Sequence, residues 1–138
     1  MAALLGYGRE VWCFGGLRTG RYATGAMLVA QAVYRRLTTP RGTLQGGDDE
    51  GAYGLDLSAY VGDLGPAAAA RMLPGLVRAE VLKDDRIVDA LVTVTDADNG
   101  DSTHALTISI QAALASSGEA FQLTLSASDT TTTLLGIA

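Results

Sequence analysis

The last third of this chain is written with a period of two. In IVDALVTVT, residues 87–95, Val88, Ala90, Val92 and Val94 alternate with Asp89, Thr93 and Thr95, Leu91 being the exception. His104, Leu106, Ile108, Ile110 and Ala112 mark one side of a second stretch, with Thr107, Ser109 and Gln111 on the other. Phe121, Leu123, Leu125 and Ala127 repeat the pattern against Gln122, Thr124, Ser126 and Ser128. Successive side chains of a strand point to opposite faces, so each stretch reads as a strand with one apolar side. DADNGDS at 96–102 and SSGEA at 116–120 are turn sequences that join them. The expectation is a three-stranded antiparallel meander, and a sheet apolar on one face needs a second layer to cover it.

Helical periodicity upstream supplies that layer. Ala26, Val29, Ala30, Val33 and Leu37 share one helix face, Arg35 and Arg36 sit in the last turn, and Pro40 with Gly42 ends the segment. Residues 37–57 then have the glycine and turn-former density of a long connecting loop. A second helical pattern begins near Asp56 with Leu57, Tyr60, Val61 and Leu64, is interrupted at Gly65-Pro66, and continues to about Lys83. Pro74-Gly75 predicts a kink or split there. The fold class expected is α+β: an N-terminal helix and a broken second helix packed on the meander.

The ends of the chain differ from this body. Residues 1–25 hold six of the 17 glycines, interleaved with Tyr7, Trp12, Phe14 and Tyr22, and read as an arm ordered against another surface. Residues 26–138 read as one domain, ending in DTTTTLLGIA. That tail is β-prone and either pairs with another chain at a sheet edge or folds back as a fourth strand. Trp12, Phe14, Thr131, Thr132, Leu134 and Leu135 are the residues expected to meet partners.

Charge is divided along the chain. Residues 1–41 carry six arginines against Glu10, whereas no lysine or arginine follows Arg86, within a net charge of −5. Phosphate neutralisation needs cations, so nucleic-acid binding by the acidic half is not expected. The apolar runs are far shorter than the roughly 20 residues that cross a bilayer, and neither secretion nor membrane insertion is expected. A lone cysteine, Cys13, suits a reducing compartment.

Catalytic and metal chemistry find little to use. Asp84 and Asp85 beside Arg86 could pass for a glycosidase pair, which needs two carboxyls roughly 5 Å or more apart across a cleft. Consecutive residues in extended chain point to opposite faces, so capping or an ion pair with Arg86 is favoured. Asp48, Asp49 and Glu50 lack the spacing of a calcium loop, and Cys13 has no second ligand for zinc. His104 falls on an apolar face with no nucleophile motif near it. No catalytic residue, metal site or cofactor is expected.

The order of parts does resemble a known family. A helix ending in AVYRRLTTPRG, a glycine-rich loop closing on AYGLDL, a broken helix running to LVRAEVLKDDRI and a terminal meander are similar to the sheath-initiator, or baseplate-wedge, proteins of contractile-tailed bacteriophages, some of which carry a lysozyme label. The resemblance covers about residues 26–127. Its most specific pieces are Thr39, Pro40, Arg41 and Gly42, then Tyr53 and Gly54, then Asp84 and Arg86, with Asp85 standing where the family usually has proline. It implies a non-enzymatic virion protein in the tail baseplate, assembled in the host cytoplasm, that joins baseplate to tube and templates the first sheath ring by strand exchange. Its implied partners are the tail sheath protein, tail tube or hub proteins and baseplate wedge proteins. A tail-completion or head-to-tail connector protein is the alternative, and a peptidoglycan hydrolase a further one.

Overall fold

The computed structural model describes residues 8–13, 20–44, 46–47, 52–98, 104–115, 118–128 and 132–138. In chain order the elements are β1 (Arg9–Val11), β2 (Tyr22–Thr24), α1 (Gly25–Thr38), α2 (Leu57–Leu64), α3 (Pro66–Val81), β3 (Ile87–Asp98), β4 (His104–Leu114), β5 (Ala120–Ala127) and β6 (Thr132–Ile137). β1 and β2 form a two-stranded antiparallel sheet, and β3-β4-β5-β6 a four-stranded one in sequential order.

Alternation on the sheet has the consequence that periodicity demands. Ala90 and Val92 of β3, Leu106, Ile108, Ile110 and Ala112 of β4, and Phe121, Leu123, Leu125 and Ala127 of β5 are all buried. They meet Val29, Ala30, Val33 and Leu37 of α1, Leu57 and Val61 of α2, and Leu73, Val77 and Val81 of α3 in a single core cluster. Burying each leucine or isoleucine of that size contributes about 1.5–3 kcal/mol, so this interface dominates the stability of the fold.

Three corrections to the expected architecture follow. The α+β class is compatible with the structure, but a helix and a broken helix on a three-stranded meander is not what forms: among the described residues there are three helices and two sheets. The tail folds back as β6 on β5, with reciprocal main-chain bonds between Gln122 and Ala138 at 2.9 Å, and Leu134 and Ile137 pack against the core. Strand propensity alone cannot choose between an edge of the same chain and a foreign one, and here the intramolecular edge is filled.

The second correction concerns the helix break. α3 runs through Pro74 without the split expected there, while the interruption expected at Gly65-Pro66 is present: Gly65, with a φ of 79°, stops α2, and its N–H bonds to Val61 O at 3.0 Å. Pro66 follows at the first helical position, where a missing amide costs nothing. The apolar row Ala69, Leu73, Val77 and Val81 spans Pro74, and its burial outweighs the one main-chain bond a proline removes. The third is Val88, expected on the buried face but 61% exposed. A register shift between Ile87 and Asp89 makes it the extra residue of a bulge, and Ile87 is buried instead.

The part of the arm that is described is built, despite its glycines. Gln31 of α1 is fully buried; its Nε2 donates to Val11 O at 3.0 Å and Glu10 Oε2 at 3.1 Å, and its Oε1 accepts from Cys13 N at 2.8 Å. Arg35 adds an ion pair to Glu10 at 2.6 Å. These bonds clamp β1 to the helix. Gln31→Ala is expected to cost about 1–3 kcal/mol, because buried polar groups lose their partners. Limited proteolysis should then cut within residues 8–24 while the rest resists; unchanged resistance there would remove Gln31 from the clamp.

Candidate functional site

Two of the residues that carry the family resemblance, Arg41 and Gly54, meet at a side chain that sequence reading passed over. Glu80, in the last turn of α3, is 1% exposed. Its Oε1 accepts from Gly54 N at 2.9 Å and Arg36 Nη1 at 3.2 Å, and its Oε2 from Lys83 Nζ at 2.9 Å and Arg41 Nη2 at 3.0 Å. Four donors, two per oxygen, match the acceptor capacity of a carboxylate. Burial by itself would raise the Glu80 pKa, but Lys83, the Gly54 amide and Arg36 together hold it below the usual range.

Local chain geometry delivers those donors. Thr39 Oγ1 bonds back to Arg35 O at 2.6 Å as α1 ends, and Leu55 N bonds Arg36 O at 3.0 Å. Arg41 also donates from Nε to Gly54 O at 3.1 Å, and the Arg36 guanidinium lies 4.3 Å from the centre of the Tyr53 ring. Gly54 has φ +105°, and a Cβ there would overlap the Thr39 carbonyl, so only glycine brings that amide to Glu80. Pro40 and Gly42 shape the turn; Thr43 Oγ1 closes it on Pro40 O at 2.8 Å. Two signals in the sequence point to Glu80: it follows Leu73 and Val77 at apolar spacing, and an acid in a last helical turn opposes the macrodipole.

Asp84 and Arg86 form the corner between α3 and β3. Asp84 Oδ1 accepts from Arg86 N at 3.0 Å and Nε at 2.8 Å, and Oδ2 from Nη2 at 2.6 Å. Burial opposes ionisation, yet Arg86 prevails and the Asp84 pKa is lowered. A general acid requires the opposite shift. Asp85 is exposed.

The sheet edges are the other surface of interest. β6 borders the sheet with Thr132 half-buried and tied to Ser58 by a 2.8 Å hydroxyl bond, Leu134 half-buried on the core, and Leu135 57% exposed at a register shift. Trp12 packs against the core, with the Arg21 guanidinium 3.9 Å from its ring centre. Phe14 and Thr131, together with the metal candidates Asp48, Asp49 and Glu50 and the His104 side chain, lie outside the described residues.

A cleft of about 240 Å³ opens beside the Glu80 junction, lined by Pro40, Arg41, Gly54, Asp56, Tyr60 and Asp63 among others. Among the described residues no group of three or more His, Cys, Asp or Glu could hold a metal ion, and no helix is long and apolar enough to cross a membrane. Comparison of the chain with family models, curated proteins and solved structures gives no match.

Removing one partner of a buried charge cluster leaves the others uncompensated. Glu80→Gln should therefore lower stability at pH 7 by about 3–5 kcal/mol, read from urea unfolding; a loss under about 1 kcal/mol would take the organising role from Glu80. Because both folded carboxylates have lowered pKa values, they stabilise the fold above about pH 4 and that contribution disappears as pH falls through the folded values. Wild-type stability should decline more steeply with acid than that of Glu80→Gln; parallel curves would contradict the assignment.

Proposed function

We propose that this chain is a non-enzymatic structural protein of a contractile phage tail, joining baseplate to tube and templating the first ring of sheath by strand exchange. The reading rests on the resemblance carried by Thr39 to Gly42, Tyr53, Gly54, Asp84 and Arg86, and on what those residues do. Arg41 and Gly54 bond Glu80 where α1 and α3 end, and Asp84 and Arg86 hold the corner into β3, which supports reading them as a structural junction.

One observation supports the templating role most directly. The sheet ends in β6, whose sequence TTLLGI has no charged residue to repel an added strand, and whose Leu135 projects uncovered. Main-chain bonds at such a border give affinity, and side-chain pockets give selectivity. The tail folds back as β6 on β5, so the edge that this reading assigns to docking is that of β6. The half of the chain containing this sheet is acidic, which suits an incoming strand with basic neighbours.

A charge on an edge strand disfavours pairing without disturbing the buried face. In tails assembled with the Leu135→Lys variant, electron microscopy should show about tenfold fewer sheathed particles, a loss of roughly 1.4 kcal/mol in docking, with the variant still incorporated in the baseplate. Full sheathing at normal incorporation would refute the templating role.

A further inference from the structure

β3 forms the opposite border of the same sheet, and it is the longer of the two edge strands. β3 carries acids at Asp89, Asp96 and Asp98, but from Ile87 to Thr95 Asp89 is its only charge, and Val88 and Leu91 are 61% and 59% exposed. An uncovered strand rich in β-branched residues and poor in charge is a template for pairing with copies of itself.

At one residue of that edge the main chain is nonetheless engaged. Ala90 N donates to Asp89 Oδ1 at 2.9 Å, and Ala90 O accepts from Arg78 Nε at 3.1 Å. Arg78 Nη2 then bonds the same Asp89 Oδ1 at 3.2 Å, closing a ring of side chains over one residue of the strand. In an antiparallel ladder the N–H and C=O of one residue point to the same side, and those of Ala90 point away from β4 toward the open border. The bulge at Val88 lies just before this point and further distorts the border.

We propose that Arg78 and Asp89 form a clip that closes the β3 edge, keeping this chain from pairing with a second copy of itself and leaving β6 as the border open to a foreign strand. The ion pair is solvent-exposed and contributes little to the stability of the fold. Its position accounts for it better than its strength does: it occupies the donor and acceptor that Ala90 would offer an antiparallel copy. Such a pairing would be isologous about a two-fold axis, so opening the edge on one protomer opens it equally on its partner. The clip stands on its own contacts, whereas the choice of β6 for sheath rests on the function proposed above.

The full-length chain carrying Leu135→Lys, which silences β6, provides the background for the test. Adding Arg78→Ala should strengthen self-association at least tenfold by sedimentation velocity, with the circular dichroism spectrum unchanged. Asp89→Ala, which approaches the clip from its other side, should do the same, so misfolding of one variant leaves the other to decide. Folded variants that sediment like the Leu135→Lys parent overturn the proposal. Self-association of clip variants combined with normal sheathing of Leu135→Lys tails would keep the clip and sink the sheath reading; the converse pair of results would do the reverse.

Discussion

The structure depends on a carboxylate placed where a helix would rather not have one. Glu80 lies at the carboxyl end of α3, against the macrodipole and out of water, and both costs are offset only because two arginines, a lysine and a main-chain amide reach it together. Each donor comes from a different part of the chain: Arg36 from the end of α1, Arg41 from the turn after it, Gly54 from the loop before α2, and Lys83 from the turn before β3. A charge cluster of this kind contributes little net stability over a well-packed apolar core, but it is intolerant of rearrangement, since any donor that withdraws exposes an imbalance in low dielectric. It therefore sets the relative positions of two helices and a long loop more sharply than leucine packing could.

From that junction the orientation passes to the sheet through a short corner. Asp84 binds Arg86 through both oxygens within three residues, so the chain leaves α3 in a defined direction and β3 begins with Ile87 buried. The helices cover the inner face, Arg78 of α3 reaches the β3 border, and β6 forms the other border. The proposed role in tail assembly uses this division of labour: a scaffold of helices on one side, and on the other the border strand β6. The two borders are chemically unlike, one uncharged and the other held by Arg78 and Asp89.

Much of this was legible in advance. The strands around Val92, Ile108 and Leu123 follow from alternation, and the inward residues from Ala90 to Ala127 follow with them, because a period of two leaves a sheet only one way to bury its apolar side. The face of α1 containing Val29, Ala30, Val33 and Leu37 was equally plain. Gln31 and Glu80 were not, because a polar residue inside an apolar pattern reads as an exception until its partners are brought to it. Val88 was misplaced for a related reason: a bulge shifts the phase of alternation by one residue, and nothing in the local composition marks it.

The sequence by itself determined that α1 is helical and β3, β4 and β5 extended, which side of each is apolar, and that its two halves carry opposite charge, since these depend on residues close together along the chain. Only the tertiary structure decided that the tail closes on β5, that Pro74 is carried through a helix, and that Arg36, Arg41, Gly54 and Lys83 surround Glu80. Those outcomes are set by competition between distant partners, and a competition of that sort is resolved by packing in three dimensions rather than by local preference.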